Sequence, residues 1–257
     1  MSDTGMPPPP QEDLSRSAAG DRNPWLVAVV ISIATFMEVL DASIANVSLR
    51  NIAGSLAAGL DESTWVLTSY LVANAIILPI SGWLSRVIGR KRYYMLCVAT
   101  FTVSSLLCAL APSLSMLIVF RVLQGLGGGG MAPTEQAMLA DTFPARLRAQ
   151  AFALYGVAVI VAPTIGPWFG GWLTDNMSWH WIFLINGPIG LLSLVLVQWM
   201  VHEPEVLERE RRERLARGLK VDWIGFVLVA LALGCLEIML DKGEREDWFA
   251  SNFIVTF

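Results

Sequence analysis

Residues 114–130 read LSMLIVFRVLQGLGGGG, the start of an apolar run that continues to Leu139 and carries one arginine, Arg121, in its interior. About twenty predominantly apolar residues suffice to cross a bilayer as a helix, so this stretch predicts a transmembrane helix. Arg121 lies roughly 10 Å along the helix axis from Leu114, too deep for a simple end anchor. Because a guanidinium keeps its proton inside proteins, Arg121 is expected to face a polar cavity or an acidic partner. The alternative is a side chain that extends to the lipid headgroups.

The composition of the whole chain is that of a membrane protein. Of its 257 residues, 54% are hydrophobic and 16% are charged, whereas about 25% are charged in an average soluble domain. The cysteines, Cys97, Cys108 and Cys235, lie inside apolar runs without metal-ligand spacing, so neither a disulfide nor a metal site is predicted. Since no nucleophile–base set or phosphate-binding loop is recognisable, the sequence predicts a protein that is not an enzyme and uses no cofactor.

Seven apolar runs predict seven transmembrane helices. They cover residues 25–47, 65–87, 93–111, 114–139, 149–172, 181–201 and 223–240, and residues 253–257 open an eighth. The predicted fold class is an all-α integral membrane protein. Its predicted domains are a disordered cytosolic tail (1–23), a six-helix transmembrane bundle (24–201), a charged cytoplasmic connector (202–221), and the seventh helix with an outer loop and the start of the eighth (222–257).

The distribution of basic residues predicts the orientation of these helices. Most of the eighteen lysines and arginines precede the first run or follow the second, fourth and sixth. Basic connections stay in the cytoplasm, so the sequence predicts a multi-pass protein of the cytoplasmic (inner) membrane whose N-terminus lies in the cytoplasm. In the connector the basic residues alternate with glutamates at helical spacing, which favours a solvated surface helix over a nucleic-acid-binding segment.

Two carboxylates in the first run are candidate partners for Arg121. Glu38 and Asp41 are three residues apart and therefore on one helix face. Asp41 lies roughly 24 Å from Trp25 along the helix, close to the depth of Arg121 counted from the opposite side. We expect Arg121 to face Asp41 or Glu38 across a polar cleft. Such a group can be a proton relay or a fixed ion pair that only joins two helices, and the residue types do not separate these two hypotheses.

Other polar residues in the apolar runs are interpreted as structural. Glu135, near the predicted inner end of the fourth run, is expected at the membrane interface, and Glu237 lies towards the outer end of the seventh. Asn74 and Gln124 are expected to form hydrogen bonds between helices.

The fifth run carries residues that affect helix shape and packing. Pro163 and Pro167 predict a bend, which is a candidate gating element. Gly166 and Gly170 form a GxxxG face, on which a neighbouring helix can approach the backbone closely. The glycines at 127–130 predict a similar close approach to the fourth helix.

Four stretches of the sequence resemble the motifs of one transporter family. They are LDASIANV (40–47), GWLSRVIGRKR (82–92), RVLQG (121–125) and GPWFGG (166–171). The chain resembles the major facilitator superfamily, and within it the fourteen-span drug:proton antiporters of the EmrB type, over nearly all residues after 25. The resemblance implies a six-helix N-terminal bundle plus one additional linking helix, that is, the N-terminal half of a transporter.

The resemblance also implies roles for individual residues. It assigns Asp41 of the first motif and Arg121 of the fourth-helix motif to proton coupling, with Glu38 beside them. At Arg86 the wider superfamily prefers an aspartate. The residues that it implies in gating and conformational change are Gly82, Arg86, Gly89, Arg90, Lys91, Gly125, Pro163, Gly166, Pro167 and Gly170.

The function implied by the resemblance is proton-coupled export of lipophilic drugs or toxic compounds across the cytoplasmic membrane, with the proton gradient as energy source. The implied partners are a small lipophilic substrate, membrane lipid, the missing C-terminal half and, in a double-membrane bacterium, a periplasmic adaptor and an outer-membrane channel; no nucleic acid is expected. Two alternatives remain: an exporter of an endogenous amphipathic metabolite or siderophore, and a truncated membrane protein that does not transport.

Overall fold

The computed structural model describes residues 23–203, 205–216, 222–244 and 247–256. Outside this part of the chain lie residues 1–22 of the predicted tail, 204 and 217–221 of the predicted connector, and 245–246 and 257 of the last predicted segment. The described residues form helices and turns without a strand. The helices are α1 (Pro24–Val47), α2 (Leu49–Ser55), α3 (Leu60–Ser63), α4 (Trp65–Ile88), α5 (Arg90–Ala109), α6 (Leu114–Gly128), α7 (Met131–Thr142), α8 (Ala145–Asn176), α9 (Trp181–Leu184), α10 (Asn186–Met200), α11 (Glu205–Ala216), α12 (Trp223–Lys242), a 3-10 turn (Trp248–Ala250) and α13 (Asn252–Thr256).

In the described part of the chain, seven helical segments are long and apolar enough to cross a membrane by length and composition, which confirms the predicted all-α membrane fold. Spans one to seven are Pro24–Val47, Leu60–Ile88, Arg90–Ala109, Leu114–Thr142, Ala145–Asn176, Trp181–Met200 and Trp223–Lys242. Span five is longer than the predicted 149–172, since Pro144 adopts an extended conformation and the helix begins directly after it. Hydropathy detects only the apolar centre of a helix, whereas helical hydrogen bonding continues into its polar ends.

The two ends of the bundle differ in which connections they carry. We call end A the end where span one begins, beside the connections at 88–90 and 142–145 and helix α11; the opposite end is end B. At end A, the Trp25 ring packs on Phe143 with ring centroids 5.0 Å apart. The described part of the predicted connector forms α11, so a helix is present there as expected.

Two apolar clusters make up the core, one towards each end. The first joins span one from Val27 to Met37 with aromatic and aliphatic residues of spans three and four. The second joins span one from Leu40 onward with spans three, four and six. Glu38 lies between them along span one. The buried carboxyl group of Glu38 therefore lies at the boundary between the two apolar clusters.

Span seven packs against span two along most of its length. The rings of Trp83 and Phe226 meet edge to face at 5.8 Å. Near end B, Thr68 donates a hydrogen bond to Asp241 and the ammonium of Lys242 contacts Thr64. Span seven is thus attached to the six-helix bundle by both apolar and polar contacts.

Span five packs on span one through the predicted glycine face. A Cβ atom at Gly170 would lie 2.7 Å from Ile44 Cγ2, and one at Gly166 would lie 2.6 Å from the Cβ of Ser43. The Ser43 hydroxyl also donates to the carbonyl of Pro163 at 3.4 Å. Helical structure continues through both Pro163 and Pro167. The two glycines therefore bring the backbones of spans one and five together.

Replacing Gly170 with alanine is expected to destabilise the bundle by about 1–3 kcal/mol, the usual range for overpacking a close contact. Gly171 provides a matched control, because no atom lies within 4 Å of the Cβ that alanine would add there. Gly171→Ala is expected to leave stability unchanged or raise it by up to about 1 kcal/mol through helix propensity. Thermal unfolding of both variants in the same detergent tests this; equal unfolding midpoints would contradict the packing role of Gly170.

Candidate functional site

A buried ion pair joins spans one and four. Arg121 Nη1 lies 2.6 Å from Asp41 Oδ2, and the two side chains are 0% and 1% exposed. The prediction of a polar cleft is therefore wrong for this conformation, because the bundle encloses the pair. Of the two candidate carboxylates, Asp41 is the one in contact with the guanidinium. Breaking such a buried pair leaves an uncompensated charge, so its integrity matters for the fold as well as for any chemistry.

Neighbouring side chains satisfy the other oxygen of Asp41. Gln124 Nε2 and Asn186 Nδ2 donate to Asp41 Oδ1 at 3.1 and 2.6 Å. Gln124 Oε1 in turn accepts from Arg121 Nη1 at 2.9 Å. Asn186 also bonds the hydroxyl of Ser105 at 2.9 Å. Spans one, three, four and six therefore meet in one hydrogen-bonded network around the Asp41 carboxylate.

The guanidinium of Arg121 makes further contacts of three kinds. Its Nε donates to the carbonyl of Val66 at 3.1 Å. Its Cζ atom lies 4.2 Å from the ring centroid of Tyr70 and 5.7 Å from that of Phe183, within cation–π range. Among the described residues, Nη2 has no hydrogen-bond partner. One donor of a buried cation is thus left without an acceptor in this conformation.

Glu38 forms a second polar group one helical turn from Asp41. Its Oε1 accepts from Asn74 Nδ2 at 2.9 Å and from the Tyr70 hydroxyl at 3.2 Å. A Cβ at Gly128 would lie 3.0 Å from the same oxygen, so the glycine run of span four provides space for this carboxyl. Tyr70 lies between the two groups, since it contacts both Glu38 and the Arg121 guanidinium.

Glu135, which was expected at the membrane interface, is enclosed by the helices of the bundle. Its side chain is fully buried. The hydroxyl of Ser32 donates to Glu135 Oε1 at 2.7 Å, and the hydroxyl of Thr35 bonds the other oxygen. The helix α7 that carries Glu135 packs on span one rather than facing lipid headgroups, and this rotation cannot be deduced from depth alone.

At end A, the connection between spans two and three is built around Gly89. Its φ of 102° and ψ of 140° lie in a region that side-chain-bearing residues rarely adopt. The following residue, Arg90, donates its backbone N–H to Glu203 Oε1 at 2.9 Å and forms an ion pair with Asp141. Arg211 Nη1 donates to the carbonyl of Ile88 at 2.6 Å. The start of the connector is thus held against the 2–3 connection.

Other residues of the same motif make more local contacts. Arg86 Nε donates to the carbonyl of Gly82 at 2.9 Å, within its own helix. Lys91 Nζ donates to the carbonyl of Gln198 at 2.9 Å, at the end of span six. Along α11, Arg212 donates to Glu208 at 3.0 Å, and this bond holds the pKa of Glu208 below its usual value.

Gly125 permits close packing between spans four and two. A Cβ there would lie 2.8 Å from the Cβ of Ala73 and would also collide with the Tyr70 carbonyl. The two prolines of span five are on its exposed side. Within the described ranges, the histidine, cysteine, aspartate and glutamate side chains nowhere converge in threes as metal ligands.

Sequence reasoning missed two participants in these networks, Asn186 and Tyr70, and did not predict the partners of Glu135. Asn186 follows an aromatic run and gives no separate signal. For Glu135, in contrast, the sequence contains a signal that could have indicated its partners. Polar residues recur every third position along span one, at Ser32, Thr35, Glu38 and Asp41. All four are buried, and we call them the polar stripe.

The family of the chain follows from comparison with known proteins. A family model described as Major Facilitator Superfamily matches residues 31–249. The chain belongs to this superfamily. It is a multi-pass membrane protein of a transporter family.

Two curated relatives are each 44% identical to this chain over the aligned residues. One is the multidrug export protein EmrB of Haemophilus influenzae, over 233 residues, and the other is the probable multidrug resistance protein EmrY of Escherichia coli, over 231 residues. Each alignment covers 90% of this chain but 44% of the relative. The chain therefore spans less than half the length of these relatives.

Solved structures show the same superfamily fold. An inward-open structure of the xylose transporter XylE from E. coli matches with a TM-score of 0.63 at 17% identity, over 86% of this chain and 57% of that one. At this identity the likeness extends to the fold alone.

Proposed function

We propose that this chain is the N-terminal half of a proton-coupled antiporter that exports lipophilic drugs or other toxic compounds. The observation that carries the proposal is the buried ion pair of Asp41 and Arg121, whose charged atoms are 2.6 Å apart. Relatives of this chain are named as drug exporters. Ionisable groups inside membrane spans are costly and commonly mark ion pathways. A structural pair alone would not need the additional carboxyl group of Glu38 one turn away.

The pair couples proton binding to a change in the bundle. While Asp41 is ionised, attraction and hydrogen bonds hold spans one, three, four and six around it. Protonation removes the charge that Arg121 faces. The attraction between the two side chains is then weaker, and the guanidinium can bind another acceptor. A conformation that separates the two side chains would in turn favour loss of the proton to the side that is open. Drug and proton would use these alternate states in opposite directions.

The orientation of the transporter follows from its basic connections. End A carries the basic 2–3 connection and the arginine-rich helix α11, so it faces the cytoplasm under the positive-inside rule. The N-terminus is then cytoplasmic in the inner membrane. The contacts of Glu203 and Arg211 at Gly89 place a carboxylate near the motif in which this chain has Arg86. We assign the 2–3 connection and α11 a gating role at the cytoplasmic end.

A complete drug pathway requires more than this chain. The substrate cleft in this architecture lies between two six-helix bundles, and one bundle is present here. The second half, membrane lipid and a small lipophilic substrate are therefore partners of the proposed function, with the proton gradient instead of a cofactor as energy source. A periplasmic adaptor and an outer-membrane channel are proposed as further partners from the likeness to EmrB and EmrY alone.

Proton–drug exchange by the complete transporter tests this function. Proteoliposomes that contain this chain with its second half are loaded with a pH gradient, and a lipophilic cationic dye is added outside. We expect the dye to dissipate the gradient, and Asp41→Asn to abolish this response because asparagine cannot carry the proton.

Glu62→Gln is the matched control, since Glu62 is an exposed carboxylate in the short helix α3, at the end B side of span two. It should exchange protons at the rate of the parent protein. Proton exchange that persists in Asp41→Asn at the parent rate would rule out the proposed role of Asp41, and a parent protein that never responds to any lipophilic compound would rule out drug antiport.

A further inference from the structure

Glu135 is a membrane-buried carboxyl group that the proposed mechanism does not use. Its side chain has no exposed surface. The two oxygens contact the hydroxyls of Ser32 and Thr35. Across the described ranges, no lysine, arginine or histidine is in ion-pair contact with it. Glu135 therefore differs from Asp41, whose charge is balanced by a guanidinium at 2.6 Å.

The titratable groups around Glu135 offer no compensating positive charge. Those that interact with it electrostatically are Glu38 from span one, Tyr94 from span three and Tyr155 from span five. From span two, the Tyr70 hydroxyl donates a hydrogen bond to Glu38. Among the described residues, the titratable groups that interact with a negative charge at Glu135 are thus acidic or phenolic.

A cation that contacts α7, Arg90, already has another acidic partner. Asp141, almost two turns along α7 towards end A, is engaged by Arg90. The Arg90 guanidinium also bonds the carbonyl of Ala137 at 3.2 Å. Arg90 therefore binds the last turns of α7 and does not contact the Glu135 carboxyl.

An isolated buried carboxylate is energetically expensive. Removal of an ion from water costs several kcal/mol in real proteins, and a buried acid without a partner avoids this cost by remaining neutral. A neutral carboxyl keeps its contacts with Ser32 and Thr35, because hydroxyl groups both donate and accept hydrogen bonds. The surroundings of Glu135 are consequently those of a carboxyl group that holds its proton.

The polar stripe connects this group to the Asp41 site. Its first and last residues, Ser32 and Asp41, are nine residues apart in α1, roughly 13.5 Å along the helix axis. Glu135 contacts the end A half of the stripe, at Ser32 and Thr35. Glu38 follows one turn further on and Asp41 one turn after that, with Cβ atoms at this spacing about 5–6 Å apart. Three carboxyl groups therefore follow one another from end A to the ion pair.

We infer that Glu135 is a second proton-binding residue of the transporter, placed between the Asp41 site and end A. In the transfer towards end A, the O–H bond of Glu135 breaks and its proton goes to water at that end. The carboxylate formed then takes a proton from Glu38, and Glu38 takes one from Asp41. Each transfer breaks one O–H bond and forms one, so no other reactant is needed. This inference rests on the proposed proton-coupled function.

Infrared spectroscopy of the purified protein in lipid tests whether Glu135 holds a proton. The parent protein at neutral pH should show the C=O stretching band of protonated carboxyl groups, and Glu135→Gln should lose the part contributed by one carboxyl. Glutamine has the shape of the neutral acid and should preserve the fold. Glu62→Gln is the control, because an exposed carboxylate is ionised at neutral pH and contributes nothing to this band. A spectrum in which Glu135→Gln equals the parent would overturn the inference.

A second variant keeps the test decisive if Glu135→Gln folds poorly. Thr35→Val has nearly the same shape as the parent but removes one hydroxyl from the Glu135 carboxyl. The carboxyl band should then change frequency without losing intensity. An unchanged band in Thr35→Val would equally overturn the inference, since it would show that no protonated carboxyl lies against Thr35.

A proton count separates this inference from the proposed antiport. Addition of a lipophilic cationic dye to the complete transporter in weakly buffered detergent should release protons, and Glu135→Gln should release one proton fewer per dye bound than the parent. An equal release from both proteins would overturn the second proton-binding residue while leaving antiport intact. No release from either protein, together with a carboxyl band that Glu135→Gln removes, would retain Glu135 as a proton-binding residue and refute drug–proton exchange.

Discussion

Asp41→Asn is expected to destabilise the protein by about 3–5 kcal/mol, the usual cost of leaving one partner of a buried ion pair uncompensated. The reason is the chemistry of the remaining partner. A guanidinium keeps its charge in any protein environment, so Arg121 would stay buried and charged. Its remaining contacts would be neutral groups, the Val66 carbonyl, Gln124 Oε1 and the rings of Tyr70 and Phe183. Thermal unfolding in a lipid nanodisc, followed by circular dichroism, measures the change.

The reciprocal variant, Arg121→Met, is expected to cost clearly less. The Asp41 carboxyl left behind can take up a proton and become neutral, and it keeps the hydrogen bonds from Gln124 and Asn186. The double variant Asp41→Leu with Arg121→Met should recover most of the stability, because a buried ion pair replaced by apolar side chains of similar size is often neutral or stabilising. Asp41→Asn and Arg121→Met with equal unfolding midpoints would contradict this asymmetry.

Gly89→Ala is expected to release helix α11 from the 2–3 connection and to cost about 1–3 kcal/mol in backbone strain. At φ 102° an alanine is strained whatever the available space. Its Cβ would also lie 2.6 Å from Arg211 Nη1 and 2.7 Å from Glu203 Oε1, which displaces both contacts that hold the connector. Since α11 is rich in arginine, limited trypsin digestion should cut it faster in the variant than in the parent.

Gly82→Ala is the control for this prediction. Gly82 belongs to the same sequence motif, but it lies in the regular helix α4 with no atom within 4 Å of an added Cβ. Alanine should raise the stability there by up to about 1 kcal/mol and leave the rate of trypsin digestion unchanged. If Gly89→Ala and Gly82→Ala were digested at the same rate as the parent, the contacts at Gly89 would not restrain α11.

The architecture of the bundle could be predicted from the sequence because it depends on local properties. A membrane span is an unbroken apolar segment of sufficient length, and each of the seven spans is visible in the chain by itself. The same applies to Arg121: its position in an apolar run requires a partner wherever the helix packs. The superfamily motifs, likewise, are contiguous stretches, and the match over residues 31–249 confirms the family that they indicated.

The partners inside the bundle depend on helix rotation and could not be predicted in the same way. Depth along a helix axis is uncertain by about one turn, and Glu38 and Asp41 differ by only three residues, roughly 4.5 Å. Only the packing of span four on span one determines that Arg121 meets Asp41 while Glu38 turns to Asn74. For the same reason Glu135 was assigned to the interface, although the structure buries it against Ser32 and Thr35.

The sequence alone therefore determined that this protein is an all-α membrane protein with seven spans, a charged residue inside the fourth and the motifs of a transporter superfamily. Composition and periodicity suffice for these features because lipid imposes them on each helix separately. The tertiary structure decided which carboxyl meets the guanidinium, which carboxyl remains without a cation, and how Glu203 and Arg211 reach Gly89. These contacts join residues far apart in the chain, and their geometry is set by how the helices rotate and pack against one another.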